Sequence, residues 1–82
     1  MNTQDQYIQE LVEHLYAADS QASLAAMLRA LLTPSEYDEV SKRLQIFKLL
    51  RAGMPQRQIA EKLGVGIATV TRGSRALKQE TE

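Results

Sequence analysis

The chain has 82 residues, no cysteine, 5% aromatic residues and a formal net charge of zero. Such a length makes one small domain whose own core is marginal, so association with a second copy is expected. Missing cysteines exclude disulfides and thiolate metal sites and suit a reducing cytosol. No apolar run approaches the roughly 20 residues of a membrane span, and the polar start MNTQDQY lacks the pattern of a signal peptide.

In chain order, Tyr7, Ile8, Leu11, Val12 and Leu15 recur at helical spacing and predict a first helix from about Gln4 to Ala18. His14 lies beside that stripe, as a surface or boundary residue. Asp19 and Ser20 break the pattern, and a second, shorter helix carries Leu24, Met27, Leu28, Leu31 and Leu32 on nearly one side. Thr33-Pro34-Ser35-Glu36 is a helix start: Thr33 caps, Pro34 presets a backbone angle, and Glu36 returns to the Thr33 amide. The third helix is expected to reach about Ala52 before Gly53 stops it. Val40, Leu44, Phe47 and Leu50 share one face, widened by Tyr37, Ile46 and Leu49. Met54-Pro55 opens a fourth helix, and a fifth runs from about Ile67 to Lys78. Gly73 inside that helix costs on the order of 1 kcal/mol relative to Ala, which asks for a close approach to the backbone there. No alternation and no Asn-Gly or Asp-Gly hairpin signals a strand. The fold class is therefore all-α, with five helices.

Residues 56–75, QRQIAEKLGVGIATVTRGSR, read as a helix-turn-helix. Ile59, Ala60 and Leu63 form one stripe, and Gly64 tolerates the left-handed backbone that ends a helix. Val65 anchors the turn; Ile67 and Val70 begin the next stripe. Ala60 suits a close helix crossing. Between the buried positions stand Ala68, Thr69, Thr71, Arg72 and Arg75, short, polar or basic residues able to enter a groove and touch phosphates and base edges. An ordinary packed helix pair also places Ala and Gly at its corner; here small, glycine and apolar residues all fall at the required offsets.

The zero net charge hides segregation. Residues 1–41 carry seven acids against Arg29 alone, and residues 42–78 carry nine bases against Glu61 alone. One basic face backed by an acidic half is the pattern of a chain that meets a phosphate backbone. An enzyme is not expected, with no cysteine, one poorly placed histidine, no paired carboxylates in the basic half and no phosphate-cradling glycine loop. No catalytic and no metal-binding residue is assigned. The expected organisation is 1–53 for dimerisation helices, 54–78 for the helix-turn-helix head and 79–82 for a disordered tail.

Leu31-Leu32-Thr33-Pro34 with Glu36, then Arg43-Leu44-Gln45-Ile46, then Gln56-Arg57, and above all Gly66-Ile67-Ala68-Thr69-Val70-Thr71-Arg72-Gly73-Ser74 resemble the tryptophan-operon repressor family over roughly residues 24–78. The resemblance implies an intertwined all-helical homodimer in the bacterial cytoplasm, associated with the nucleoid. It would bind palindromic double-stranded operator DNA under control of L-tryptophan, the one possible cofactor. It places DNA contacts at Gln56, Arg57, Gly66, Ile67, Ala68, Thr69, Thr71 and Lys78, to which the exposed basic Arg75 is added. It places the corepressor at Leu32, Thr33, Arg43, Arg72 and Gly73: Arg72 takes the carboxylate, Arg43 the opposite ring face, the carbonyls around Leu32 and Thr33 the ammonium, and Gly73 leaves room for the indole. Guanidinium groups stack on aromatic faces and fork onto carboxylates, so the chemistry is reasonable.

The chain departs from the family pattern at several points. Ala76 stands where a family serine helps hold the ligand's amino group, a loss of about 0.5–1.5 kcal/mol net. Ala60 replaces a basic DNA-facing residue, and one residue fewer separates Gly53 from Gln56. The expected architecture is without the family's last helix. Three function classes follow: a corepressor-sensing dimeric repressor, a ligand-independent DNA-binding regulator on the same scaffold, and a protein-interaction module.

Overall fold

The computed structural model describes residues 2–81, with side chains through Gln79. Five helices account for almost all of them: α1 (Thr3–Tyr16), α2 (Gln21–Leu31), α3 (Pro34–Arg51), α4 (Gln56–Leu63) and α5 (Ile67–Thr81). No strand occurs among the described residues. Contacts gather into two compact units, Met1–Tyr37 and Asp38–Glu82. The division falls inside α3, because the later half of α3 packs with α4 and α5.

Local chemistry sets the helix starts of the first unit. Asn2 Oδ1 accepts the Asp5 amide at 2.8 Å and opens α1, and Ser20 Oγ accepts the Ser23 amide at 3.0 Å and opens α2. At Thr33 both halves of the expected capping box form. The Glu36 amide donates to Thr33 Oγ1 (3.1 Å) and the Thr33 amide donates to Glu36 Oε1 (2.8 Å), satisfying two orphan donors at once. The Thr33 backbone N–H first, and then its hydroxyl, hold the Glu36 carboxyl below the ordinary carboxylate range. Neither α1 nor α2 contains a buried residue. Tyr7, Ile8, Leu11 and Val12, the stripe expected to be covered, are all exposed, as is Leu31.

The second unit owns the core. Ile46 of α3, Ile59 of α4 and Val70 of α5 are fully buried, and Leu49, Leu50, Met54, Ala60, Leu63 and Val65 pack against them. Burying each such aliphatic side chain stabilises by roughly 1.5–3 kcal/mol. The sequence put Val40 and Leu44 on the buried face of α3, but these are exposed by 47% and 56%. Two apolar stripes run along α3, and only the Ile46-Leu49-Leu50 stripe finds α4 and α5. Ile67 also differs from expectation: half exposed, it stands at the first turn of α5 and leaves the core to Val70.

Gly53 and Gly64 end their helices in the same way, with φ of 89° and 66°. After α3, the Met54 amide returns to the Leu49 carbonyl and the Gly53 amide to that of Leu50, both at 3.0 Å. After α4, the Val65 amide returns to the Ala60 carbonyl at 3.1 Å and the Gly64 amide to that of Glu61 at 3.4 Å. Each is a Schellman closure, and the residues at its two ends, Leu49 and Met54 in one, Ala60 and Val65 in the other, all pack on the core. Helix α5 continues through Gln79, Glu80 and Thr81, where a tail was expected, because no Gly or Pro interrupts it. Glu82, the tail's last residue, lies outside the described residues.

Candidate nucleic-acid interface and ligand concavity

The geometry of the α4–turn–α5 pair is set by what it buries. Along α5, Val70, Gly73, Ser74 and Leu77 face inward at helical spacing. That leaves Ile67, Ala68, Arg72, Arg75 and Lys78 exposed, together with Gly66 in the turn and Arg57 on α4. Arg72, Arg75 and Lys78 recur every three residues and so stay within about a third of the helix circumference. An exposed helix N-terminal end with small and apolar side chains, followed by a cationic edge, is shaped for a major groove between phosphates.

Two of the expected DNA-facing residues also make contacts within the unit. Thr71 is half-buried, and its hydroxyl reaches Gln56 Oε1 at 2.9 Å and the Ile67 carbonyl at 3.0 Å. This contact ties the first residue of α4 to α5 across fifteen positions, a pairing that no periodicity in the sequence signals. With its oxygen engaged by Thr71, the Gln56 amide keeps its NH2 donors for an outside acceptor. Thr69 is half-buried too, and its Oγ1 accepts from Arg72 Nη2 at 3.4 Å.

That second threonine lines a concavity in the same unit. One lobe, of about 400 Å3, is bounded by Asp38, Glu39, Lys42, Arg43, Ile46, Val65, Gly66, Thr69 and Arg72. An adjoining lobe of about 330 Å3 shares Arg43, Ile46, Thr69 and Arg72 and adds Phe47, Gly73 and Ala76. Arg43, Arg72 and Gly73, three of the residues assigned to corepressor, are therefore brought together. Leu32 and Thr33 belong to the first unit, where Leu32 ends α2 in extended backbone and the Thr33 carbonyl accepts the Tyr37 amide at 2.9 Å.

The backbone at Gly73 is approached by a side chain of this chain. A Cβ there would stand 2.8 Å from Ile46 Cγ2 and 3.9 Å from Phe47 Cε1, so protein packing alone accounts for the glycine. Asp38, Glu39 and Lys42 were not singled out from sequence, although an acid four residues before Arg43 shares its helix face. Asp38 pairs with Lys42 at 3.2 Å. Among the described residues no group of His, Cys, Asp and Glu could hold a metal ion, and no helix is long and apolar enough to cross a membrane.

Comparison with known proteins bears on the family. The sequence model of the Trp repressor protein family matches residues 6–82. A Trp operon repressor homolog of Vibrio atlanticus (strain LGP32) is 39% identical over 90% of this chain and 76% of its own length. One from Vibrio vulnificus (strain YJ016) is 38% identical over 100% of this chain and 83% of its own. A third, from Aliivibrio fischeri (strain MJ11), is 44% identical over 79% and 61%. Five helices with a helix-turn-helix at α4 and α5, the run Gly66 to Ser74 and these matches lead to one conclusion: the chain belongs to the Trp repressor protein family.

Proposed function

We propose that this protein is a sequence-specific DNA-binding transcriptional repressor, acting as a homodimer and controlled by L-tryptophan or a related small corepressor held between Arg43 and Arg72. The observation that carries the DNA reading is the exposed start of α5, Ile67 and Ala68, continued by the cationic edge Arg72, Arg75 and Lys78. The names of the relatives, Trp operon repressor homologs, support the same reading. Two-fold pairing would set two such helices ~34–36 Å apart, one DNA turn, as in helix-turn-helix dimers generally, Trp repressors among them. The uncovered apolar side chains of α1 and α2 support the pairing, since faces of that kind are buried against a partner.

For the corepressor, the support is that Arg43 and Arg72 line one concavity with an apolar floor at Ile46. A bound ligand would favour one setting of α5 over others and so raise the population of the DNA-competent form. A ligand-independent regulator is the second reading. It is favoured by the methyl of Ala76 in place of a polar group on the lobe wall, and by Ile46 occupying the space at Gly73.

Binding of duplex DNA with and without L-tryptophan separates these readings. The log of affinity is expected to fall with the log of salt by about 0.9 per phosphate neutralised, and tryptophan is expected to strengthen operator binding above random DNA. Arg72→Ala is expected to weaken both ligand and operator. No calorimetric heat at millimolar tryptophan, with operator binding intact, selects the ligand-independent regulator. A flat salt response removes the DNA reading altogether.

A further inference from the structure

The larger lobe of the concavity contains an acid for which neither the fold nor DNA binding supplies a use. Glu39 lines it together with Arg43 and Arg72. Asp38 is committed to Lys42, whereas the Glu39 side chain forms no ion pair or hydrogen bond with any described residue. Arg43, one helical turn further along α3, is likewise without a partner, and Arg72 has only its 3.4 Å contact to Thr69. One unanswered carboxylate thus shares a space of about 400 Å3 with two guanidinium groups, over the apolar floor of Ile46 and Val65.

A ligand that satisfies this set carries one anionic and one cationic end on a short frame, with an apolar remainder. A plain carboxylic acid would satisfy the arginines and leave Glu39 beside a second negative charge; a plain amine would do the reverse. In the adjoining lobe Ala76 offers only a methyl, which accepts no proton from an ammonium. We propose that Glu39, in place of the carbonyls around Leu32 and Thr33 to which the family resemblance gives this role, accepts the ammonium group of the ligand, and so makes this site choose a zwitterionic α-amino acid over the corresponding deaminated acid. The inference rests on the corepressor reading above and assigns to α3 the selectivity for the amino group.

Calorimetry on the full-length protein tests it, with L-tryptophan and indole-3-propionate, the same frame without its amino group, as probes. The wild type is expected to bind tryptophan more tightly. Glu39→Gln is expected to weaken tryptophan roughly three- to tenfold, the effect of one charge-assisted contact at a solvent-reachable site. It should leave indole-3-propionate unchanged or tighter, so that the preference collapses. An equal loss for both probes would mark Glu39 as merely structural and overturn the proposal, as would no change for either. If neither probe binds the wild type, the corepressor reading itself falls and takes this inference with it. Binding of both probes with Glu39→Gln neutral defeats the inference alone.

Discussion

Gly73→Ala sets two effects of similar size against each other, and the structure decides between them. Alanine is favoured over glycine inside a helix by about 0.8–1 kcal/mol, so at an open position the substitution would stabilise. Here the new Cβ would stand 2.8 Å from Ile46 Cγ2, well inside the roughly 3.5–4.0 Å at which carbon atoms attract. Ile46 is 1% exposed and β-branched, so its χ1 is stiff and the methyl has no free volume to enter. Overpacking of this kind costs typically ~1–3 kcal/mol. The net expectation is a loss of about 1 kcal/mol. In an Ile46→Ala background, itself costing ~2–5 kcal/mol, the obstruction is gone and Gly73→Ala should become favourable by about 1 kcal/mol. The sign therefore reverses, a coupling within the ~0.5–3 kcal/mol seen for residues in contact. Urea midpoints read this at one fixed protein concentration, because an associating protein's stability varies with it. Where Ile46→Ala proves too unstable, Ile46→Leu, which lacks the Cβ branch, serves instead. The same stabilisation in both backgrounds would refute the reasoning and return Gly73 to a role in making room for ligand.

Thr71→Val keeps the shape of the side chain and removes the hydroxyl that holds Gln56. Stability is expected to fall by about 0.5–1.5 kcal/mol and operator affinity to fall with it; affinity left intact would show that Gln56 needs no anchoring. Glu36→Gln tests the capping box through pH. The folded carboxyl sits below its ordinary value, so its contribution is fully present above the ordinary carboxylate range and is lost as pH falls through the folded value. Between neutral and acidic pH the wild type should lose more stability than Glu36→Gln, and parallel pH profiles would contradict that. Leu11→Glu puts a charge on the uncovered face of α1, where Leu11 is exposed. It is expected to shift light-scattering mass from dimer toward monomer, and an unchanged dimer would exclude α1 from the interface.

The helix boundaries were legible because their causes are local. Thr33 and Glu36 are three residues apart and close their two hydrogen bonds regardless of the rest of the chain. Gly53 and Gly64 end α3 and α4 through amide bonds that return three and five residues along the backbone. The helix-turn-helix was legible for the same reason: Ile59, Gly64 and Val70 sit at offsets fixed by helix period and turn geometry. The run Gly66 to Ser74 carried the family.

Sequence alone could not say which of two apolar stripes on α3 is buried. Ile46, Leu49 and Leu50 and, against them, Val40 and Leu44 are equally apolar, and only the placement of α4 and α5 chooses the first set. The same holds for Gly73, whose reason is a methyl twenty-seven positions earlier in the chain, and for Thr71 and Gln56, whose bond spans fifteen. Thr69 likewise becomes a neighbour of Arg43, and Glu39 of Arg72, only once α3 and α5 pack. Local backbone rules determine where helices begin and end. Which side chains meet depends on contacts between residues far apart in sequence, and those the tertiary structure alone decided.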